Sequence, residues 1–281
     1  MKRVPSLILE GGTLRPIFSA GVMDALLDQE LMFPYCIGVS AGISNGFSYI
    51  SKQKRRNLDI MEKYRHDKRY IGYRNFLSSR SLFGLDFVFE EIPNKLLPFD
   101  MEAFHNYSGQ LLVGVTNAQT GLSEYFNGMN IDDKSTMLRA TCAIPLFFPA
   151  IEMNGSKYYD GGLSDPIPIR KAIADGNNQH LIVLTQPKGY IKQFSKQNAM
   201  IGKLFKNKYP NLEEILLTRH NKYNETVNFC EQLEQQGQAI ILRPERSLVS
   251  FEKNINILKD TCQHGYNLAM DNMKDIRKLF L

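Results

Sequence analysis

Apolar residues along the chain fall into short runs separated by stretches where they recur every three or four positions. Residues 4–9 form an apolar run that gives way to a glycine pair, which predicts a buried strand. Residues 17–31 place Phe18, Val22, Ala25 and Leu26 at helical spacing. A second short strand is predicted over residues 35–39, followed by a helix rich in small residues over 41–50. Residues 51–98 lose this clarity. They open on KQKRR, interleave aromatic and basic residues, and read as inserted helical and irregular material.

Further strands are expected at 110–117, at 121–126 beside it, at 157–159, at 180–187 and at 238–243. Helices are expected at 133–141, with Asp132 or Asp133 near its N-terminus, and at 168–175, 211–236 and 254–279. The two prolines within residues 143–150 exclude a regular helix there. Strands alternating with helices predict an α/β fold: three layers, α/β/α, around a mostly parallel sheet. The simplest division is a core over 4–187, carrying the insertion near 51–98. Residues 188–281 then form a C-terminal extension that packs a final strand and helices on the core.

Composition narrows the functional classes. Of 281 residues 43% are hydrophobic and 22% charged, as expected of a folded chain. No apolar run is long enough to span a bilayer, and the apolar run after Pro5 is too short for an export signal. A cytoplasmic protein is expected, with peripheral contact at the inner membrane surface. Cys36, Cys142, Cys230 and Cys262 are scattered without a C-x-x-C pair, so neither a disulfide framework nor a metal site is expected, and no cofactor is implied. A net charge of +5 is too small and dispersed to argue for nucleic acid, so no such partner is expected. The basic insertion keeps a weaker nucleic-acid reading open.

Three segments carry candidate chemistry. GVSAG places Ser40 between Gly38 and Gly42, at the junction of a predicted strand and helix. A serine hydroxyl needs a base and an exposed, strained turn to become a nucleophile, and a strand-to-helix elbow provides the turn. EGGTLRP places Gly11, Gly12 and Thr13 after the first strand, where backbone N–H groups can receive an oxyanion. It lacks the spacing of a dinucleotide fingerprint. YYDGGLSDP places Asp160 before Gly161 and Gly162, where a carboxylate could orient or deprotonate Ser40; Asp165 is its nearest competitor.

In this order the three segments resemble those of the patatin-like phospholipases, chiefly the bacterial cytoplasmic members, over roughly residues 4–187. The resemblance implies a Ser40–Asp160 dyad, an acyl-enzyme, an oxyanion hole at Gly11, Gly12 and Thr13, and a lipid or other ester as substrate. Gly38, Gly42, Gly161, Gly162 and Arg15 would support it. Two positions depart from the family pattern: Thr13 and Pro16 stand where glycines are usual. That departure keeps a second reading open, a non-catalytic lipid- or acyl-chain-binding protein on the same scaffold. His66, His105, His180, His220 and His264 fall in no shared motif, although a histidine base is recognised by geometry and not by order. Residues 52–56, 64–74 and 191–209 are candidate membrane-contact surfaces, and the last two mix basic and apolar side chains. The last reads either as an interfacial amphipathic segment or as a solvated helix face.

Overall fold

The computed structural model describes residues 3–72, 75, 81 and 83–281. An eight-stranded sheet forms its centre. β1 (Pro5–Leu9), β2 (Tyr35–Val39) and the long β3 (Gln110–Asn117) run parallel, as do β7 (Gln179–Val183) and β8 (Ala239–Leu242). β4 (Ser123–Asn127), β5 (Ile151–Met153) and β6 (Ser156–Asp160) are antiparallel additions at the β3 end. The order is β5-β6-β3-β2-β1-β7-β8, with β4 also on β3.

Strand side chains alternate between faces. Leu7 and Leu9 of β1 join a core with α1 (Ile17–Asp28), α2 (Ser40–Ile50), α10 (Ile255–Asp271) and α11 (Met273–Lys278). Ile8, between them, points to the other face, toward α7 (Ile169–Ala174) and the long α9 (Pro210–Gln235). The expected three-layer α/β/α fold with a mostly parallel sheet is therefore present. The insertion contributes α3 (Arg56–Tyr64) and α4 (Phe87–Leu96), the latter wound as a π-helix around Pro93. α5 (Met101–His105) leads into β3, and α8 (Lys196–Phe205) precedes α9. Part of the 64–74 stretch, Tyr73 and Arg74, lies outside the described residues.

Several boundaries differ from the sequence expectation for local reasons. The helix expected over 133–141 is α6 (Thr136–Thr141). Asp132 does accept the Thr136 N–H at 2.7 Å, but Ser135 takes a left-handed conformation (φ 52°) that keeps the preceding residues out of the helix. The closing helix divides at Asn272, whose side chain turns back to the Leu268 carbonyl at 2.8 Å while its own carbonyl starts α11. The first helix ends at Asp28, three residues early, and the strand expected over 180–187 stops at Val183. β5 was not anticipated. It pairs with β6 across Asn154–Gly155, both with positive φ (52° and 77°), the two-residue hairpin turn that Asn-Gly favours.

α1 and α10 approach backbone to backbone. A Cβ on Gly21 would stand 1.8 Å from the Cys262 carbonyl oxygen, and one on Gly265 would stand 2.0 Å from that of Phe18. No side chain can yield there, so the helices would have to separate. We expect Gly21→Ala and Gly265→Ala each to destabilise the protein by about 2 kcal/mol or more, the upper part of the overpacking range. Thermal melting checks this, and wild-type melting temperatures would contradict the close contact.

Candidate active site

β3 brings two chain ends together. β2 runs parallel along one edge of β3 and ends with Val39 opposite Gly114. β6 runs antiparallel along the continuation of that edge and ends with Asp160 opposite Val115. β4 takes the other edge. The C-terminal ends of β2 and β6 therefore meet head to head at adjacent register positions, and Ser40 and Asp160 are neighbours. Thr141, at the end of α6, pins the junction: its hydroxyl accepts the Ser40 N–H at 2.8 Å and donates to the Gly114 carbonyl. Only a glycine fits at 161, since a Cβ there would lie 2.2 Å from the Gly114 oxygen.

Ser40 begins α2 with φ 54°, the left-handed conformation of a strained elbow. The elbow rests on the end of β1. A Cβ on Gly42 would meet the Glu10 carbonyl oxygen at 2.2 Å, and one on Gly38 the Leu9 carbonyl oxygen at 2.6 Å. Gly11 is pressed against Ser40, with room for no Cβ, which would come within 2.8 Å of the serine's own.

Beyond Gly11 the chain bends through Gly12 (φ 143°) and Thr13 (φ 61°). The N–H groups of Gly11, Gly12 and Thr13 have no protein acceptor among the described residues. Thr13 thus adopts the left-handed backbone usual for glycine, which keeps its N–H available. Pro16 loses nothing by lacking an N–H, because it stands at the start of α1, where its carbonyl accepts from Ala20 and from the Asn45 side chain. Arg15 folds back over Gly12 and donates to the Thr185 hydroxyl at 3.3 Å and the Ser250 hydroxyl at 3.0 Å. Thr185 in turn holds the Gly11 carbonyl and gives its N–H to buried Glu10. Arg15 is an anchor of this loop.

The electrostatics separate the candidates. Asp160 is buried, and burial raises its pKa above the usual carboxylate value. The neighbouring Ser40 hydroxyl, the charge of Arg219 and the Gly162 N–H (2.8 Å) oppose that rise. Asp165 is engaged elsewhere, accepting the Tyr125 hydroxyl. Cys142 lies beside Ser40 and Ser44, but burial pushes its thiol up to about 12, so it is no thiolate. His180 pairs with Ser6 near the start of β1, at the opposite end of the strands, and burial pushes its pKa down to about 4. His264, His220 and His105 pack against Phe18, Phe194 and Phe104, and His66 is exposed. Arg219, on α9, donates its Nε–H to the Gly162 carbonyl at 3.0 Å. Neither Thr141 nor Arg219 carries a sequence signal, since each acts across a long chain separation.

A cavity of about 300 Å³ opens beside Ser40, lined also by Thr13. Its walls are mainly apolar: Ile17 and Phe47 come from the core, while Ile60, Phe83, Val88 and Phe89 come from the insertion. Arg56 also reaches it. Its buried guanidinium donates to the Leu97 carbonyl at 2.7 Å and lies over the Phe99 ring. Side chains from residues 56–61 and 83–94, which show no clear periodicity in the sequence, form part of the cavity wall.

A family model described as patatin-like phospholipase matches residues 7–173, and one described as a domain of unknown function, DUF6363, matches residues 209–281. Over 185 residues the chain is 27% identical to the uncharacterized protein YjjU of Escherichia coli K12, covering 65% of this chain and 52% of that protein. It is 24% identical over 198 residues to the "Probable lipid hydrolase 463L" of Invertebrate iridescent virus 6, covering 64% and 67%. The matched region thus spans about half the length of YjjU. Among solved structures, VipD from Legionella pneumophila shares the fold with a TM-score of 0.54 at 11% identity, over 97% of this chain and 67% of that one.

The left-handed elbow has a measurable cost. An L-residue there is disfavoured by about 1–2 kcal/mol, of which glycine's greater freedom in the unfolded chain returns roughly half. Ser40→Gly should therefore melt about 2 °C above Ser40→Ala. An equal or lower melting temperature for the glycine variant would argue against strain at this turn.

Proposed function

The chain belongs to the patatin-like phospholipase family, and from that premise we propose that it hydrolyses carboxylic esters of lipids through Ser40 and Asp160. The observation that carries this reading is the head-to-head meeting of β2 and β6, which puts a strained serine against a buried carboxylate at the wall of an apolar cavity. The name of the viral relative supports the substrate class.

In the reaction, the Ser40 Oγ attacks the ester carbonyl carbon as its proton passes to the Asp160 carboxylate. The carbonyl π electrons move to oxygen, and the N–H groups of the Gly11–Gly12–Thr13 loop receive that oxyanion. Collapse breaks the bond to the leaving alcohol, which takes the proton from Asp160 and leaves an acyl-enzyme. Water repeats the sequence, losing a proton to Asp160 and releasing the fatty acid, and Ser40 regains its proton. The acyl chain lies against Phe47, Phe83 and Phe89. Residues 4–187 form the catalytic core and 188–281 an extension that completes it, with β8 extending the sheet and α9 reaching Gly162. The alternative, a lipid-binding protein without turnover, rests on Thr13 and Pro16 as departures from the family pattern. Its support weakens because Thr13 keeps a glycine-like backbone and Pro16 a helix start.

Access to lipid is by peripheral contact. Residues 188–209 hold six lysines and no acidic residue. Ile191, Phe194, Met200 and Leu204 are exposed among them. Such a basic, apolar face suits an anionic membrane surface. Among the described residues no helix is long and apolar enough to cross a membrane. We expect Met200→Ser with Leu204→Ser to weaken sedimentation with anionic vesicles several-fold without changing hydrolysis of a soluble short-chain ester. Unchanged vesicle binding would remove this face from the account.

Hydrolysis of p-nitrophenyl esters of increasing chain length, with wild type beside two variants, tests the reaction. Ser40→Ala and Asp160→Asn should each lose about 10³-fold or more in turnover. Because burial raises the folded pKa of Asp160, its ionisation costs stability as pH rises above the unfolded value. Asp160→Asn should accordingly melt no lower than wild type at pH 8, which separates lost chemistry from lost fold. The same shift places the acid limb of kcat/KM above the ordinary carboxylate value of about 4. Full activity in Ser40→Ala would sink the reading.

A further inference from the structure

From the contact between α9 and the Asp160 turn, we infer that Arg219 is a positioning residue that fixes this turn and keeps Asp160 a working base. The C-terminal segment is thereby part of the catalytic apparatus. This inference rests on the Ser40–Asp160 reading, and it gives a task to a stretch, residues 209–281, that matches only a domain of unknown function.

The geometry is direct. Arg219 is fixed along α9, whose buried residues Leu212, Leu216 and Tyr223 pack it on the sheet side of the molecule. Its Nε–H takes the Gly162 carbonyl at 3.0 Å, and its Nη2 passes 3.7 Å from where a Gly162 Cβ would be. The Gly162 N–H meanwhile donates to Asp160 Oδ1 at 2.8 Å. One residue therefore transmits the grip: Arg219 holds the carbonyl of Gly162, and the N–H of Gly162 holds the catalytic carboxylate. A side chain some sixty positions away in sequence fixes the direction in which Asp160 faces Ser40.

Charge adds a second role. Among the described residues, Ser40 from α2, Cys142 from the turn after α6 and Arg219 from α9 act on the charge of Asp160. Of these, only Arg219 is cationic. Burial favours the neutral acid, which cannot accept the Ser40 proton, and the guanidinium opposes burial. Around Arg219 stand Glu10, Arg15 and Tyr190, with Lys192 beside it over the Tyr223 ring. Glu10 offsets the guanidinium charge, whereas burial and the like charge of Arg15 lower the Arg219 pKa.

The test compares wild type, Arg219→Gln and Arg219→Lys. Arg219→Gln should move the acid limb of kcat/KM for a soluble ester upward by about one pH unit or more, the usual effect of removing a neighbouring opposite charge. It should lower kcat more than it raises KM. Arg219→Lys, which keeps the charge and loses the planar fork, should restore at least half of the shift. A second readout needs no turnover: the ¹³C carboxyl titration of Asp160, assigned with Asp160→Asn, should shift upward in Arg219→Gln to the same extent. Superimposed titrations in wild type and Arg219→Gln would overturn the inference, whatever the melting temperatures. So would a lysine variant indistinguishable from the glutamine one. An inactive wild type whose Asp160 titration still moves would leave Arg219 in its role and refute only the hydrolase reading.

Discussion

The edge of β3 is the constraint on which the site depends. Eight residues of one strand carry β2 on their first five positions and β6 on their last three, so two chain ends arrive at one point from opposite directions. No flexible loop has to bring serine and aspartate together. Gly114 marks the meeting place, with the Thr141 hydroxyl on its carbonyl and the Gly161 backbone too close for any side chain. A register slip of one residue would also turn every strand side chain to the wrong face, so core packing and site geometry protect each other.

The site itself is held against its own preferences. Ser40 and Thr13 keep left-handed backbones, and Asp160 is a carboxylate in a dry place. Such features persist only where the surroundings over-determine them. Here two apolar cores clamp the sheet from both faces, and the backbone contact of α1 with α10 fixes the helix that follows the Gly11–Gly12–Thr13 loop. Arg15, Thr185, Glu10 and Ser250 lock that loop from behind. Part of the cavity wall comes from a different stretch of the chain, the insertion.

Much of this was legible in the sequence because it is local. The strand before Ser40, the helix after it, the glycines at 38 and 42 and the Asp160–Gly161–Gly162 turn each follow from neighbouring residues. The layered fold follows from alternating strand and helix periods. The parts that escaped are long-range. Nothing near Thr141 or Arg219 marks them, since their partners lie far along the chain. Residues 51–98 show no clear period; among the described ones α4 is a π-helix and several side chains face a cavity. The Asn154–Gly155 hairpin carries a local signal, because Asn-Gly favours the two-residue turn between β5 and β6. Thr13 looked like a defect in the oxyanion segment, yet the fold imposes on it the conformation a glycine would have taken.

The central claim is that Ser40 is a nucleophile activated by Asp160. Intact-mass spectrometry with peptide mapping after exposure to an alkyl fluorophosphonate tests it most directly. The account predicts a single adduct on Ser40 in the wild type, forming far more slowly in Asp160→Asn and absent from Ser40→Ala. An unmodified wild-type protein, or an adduct on any other residue, would contradict it.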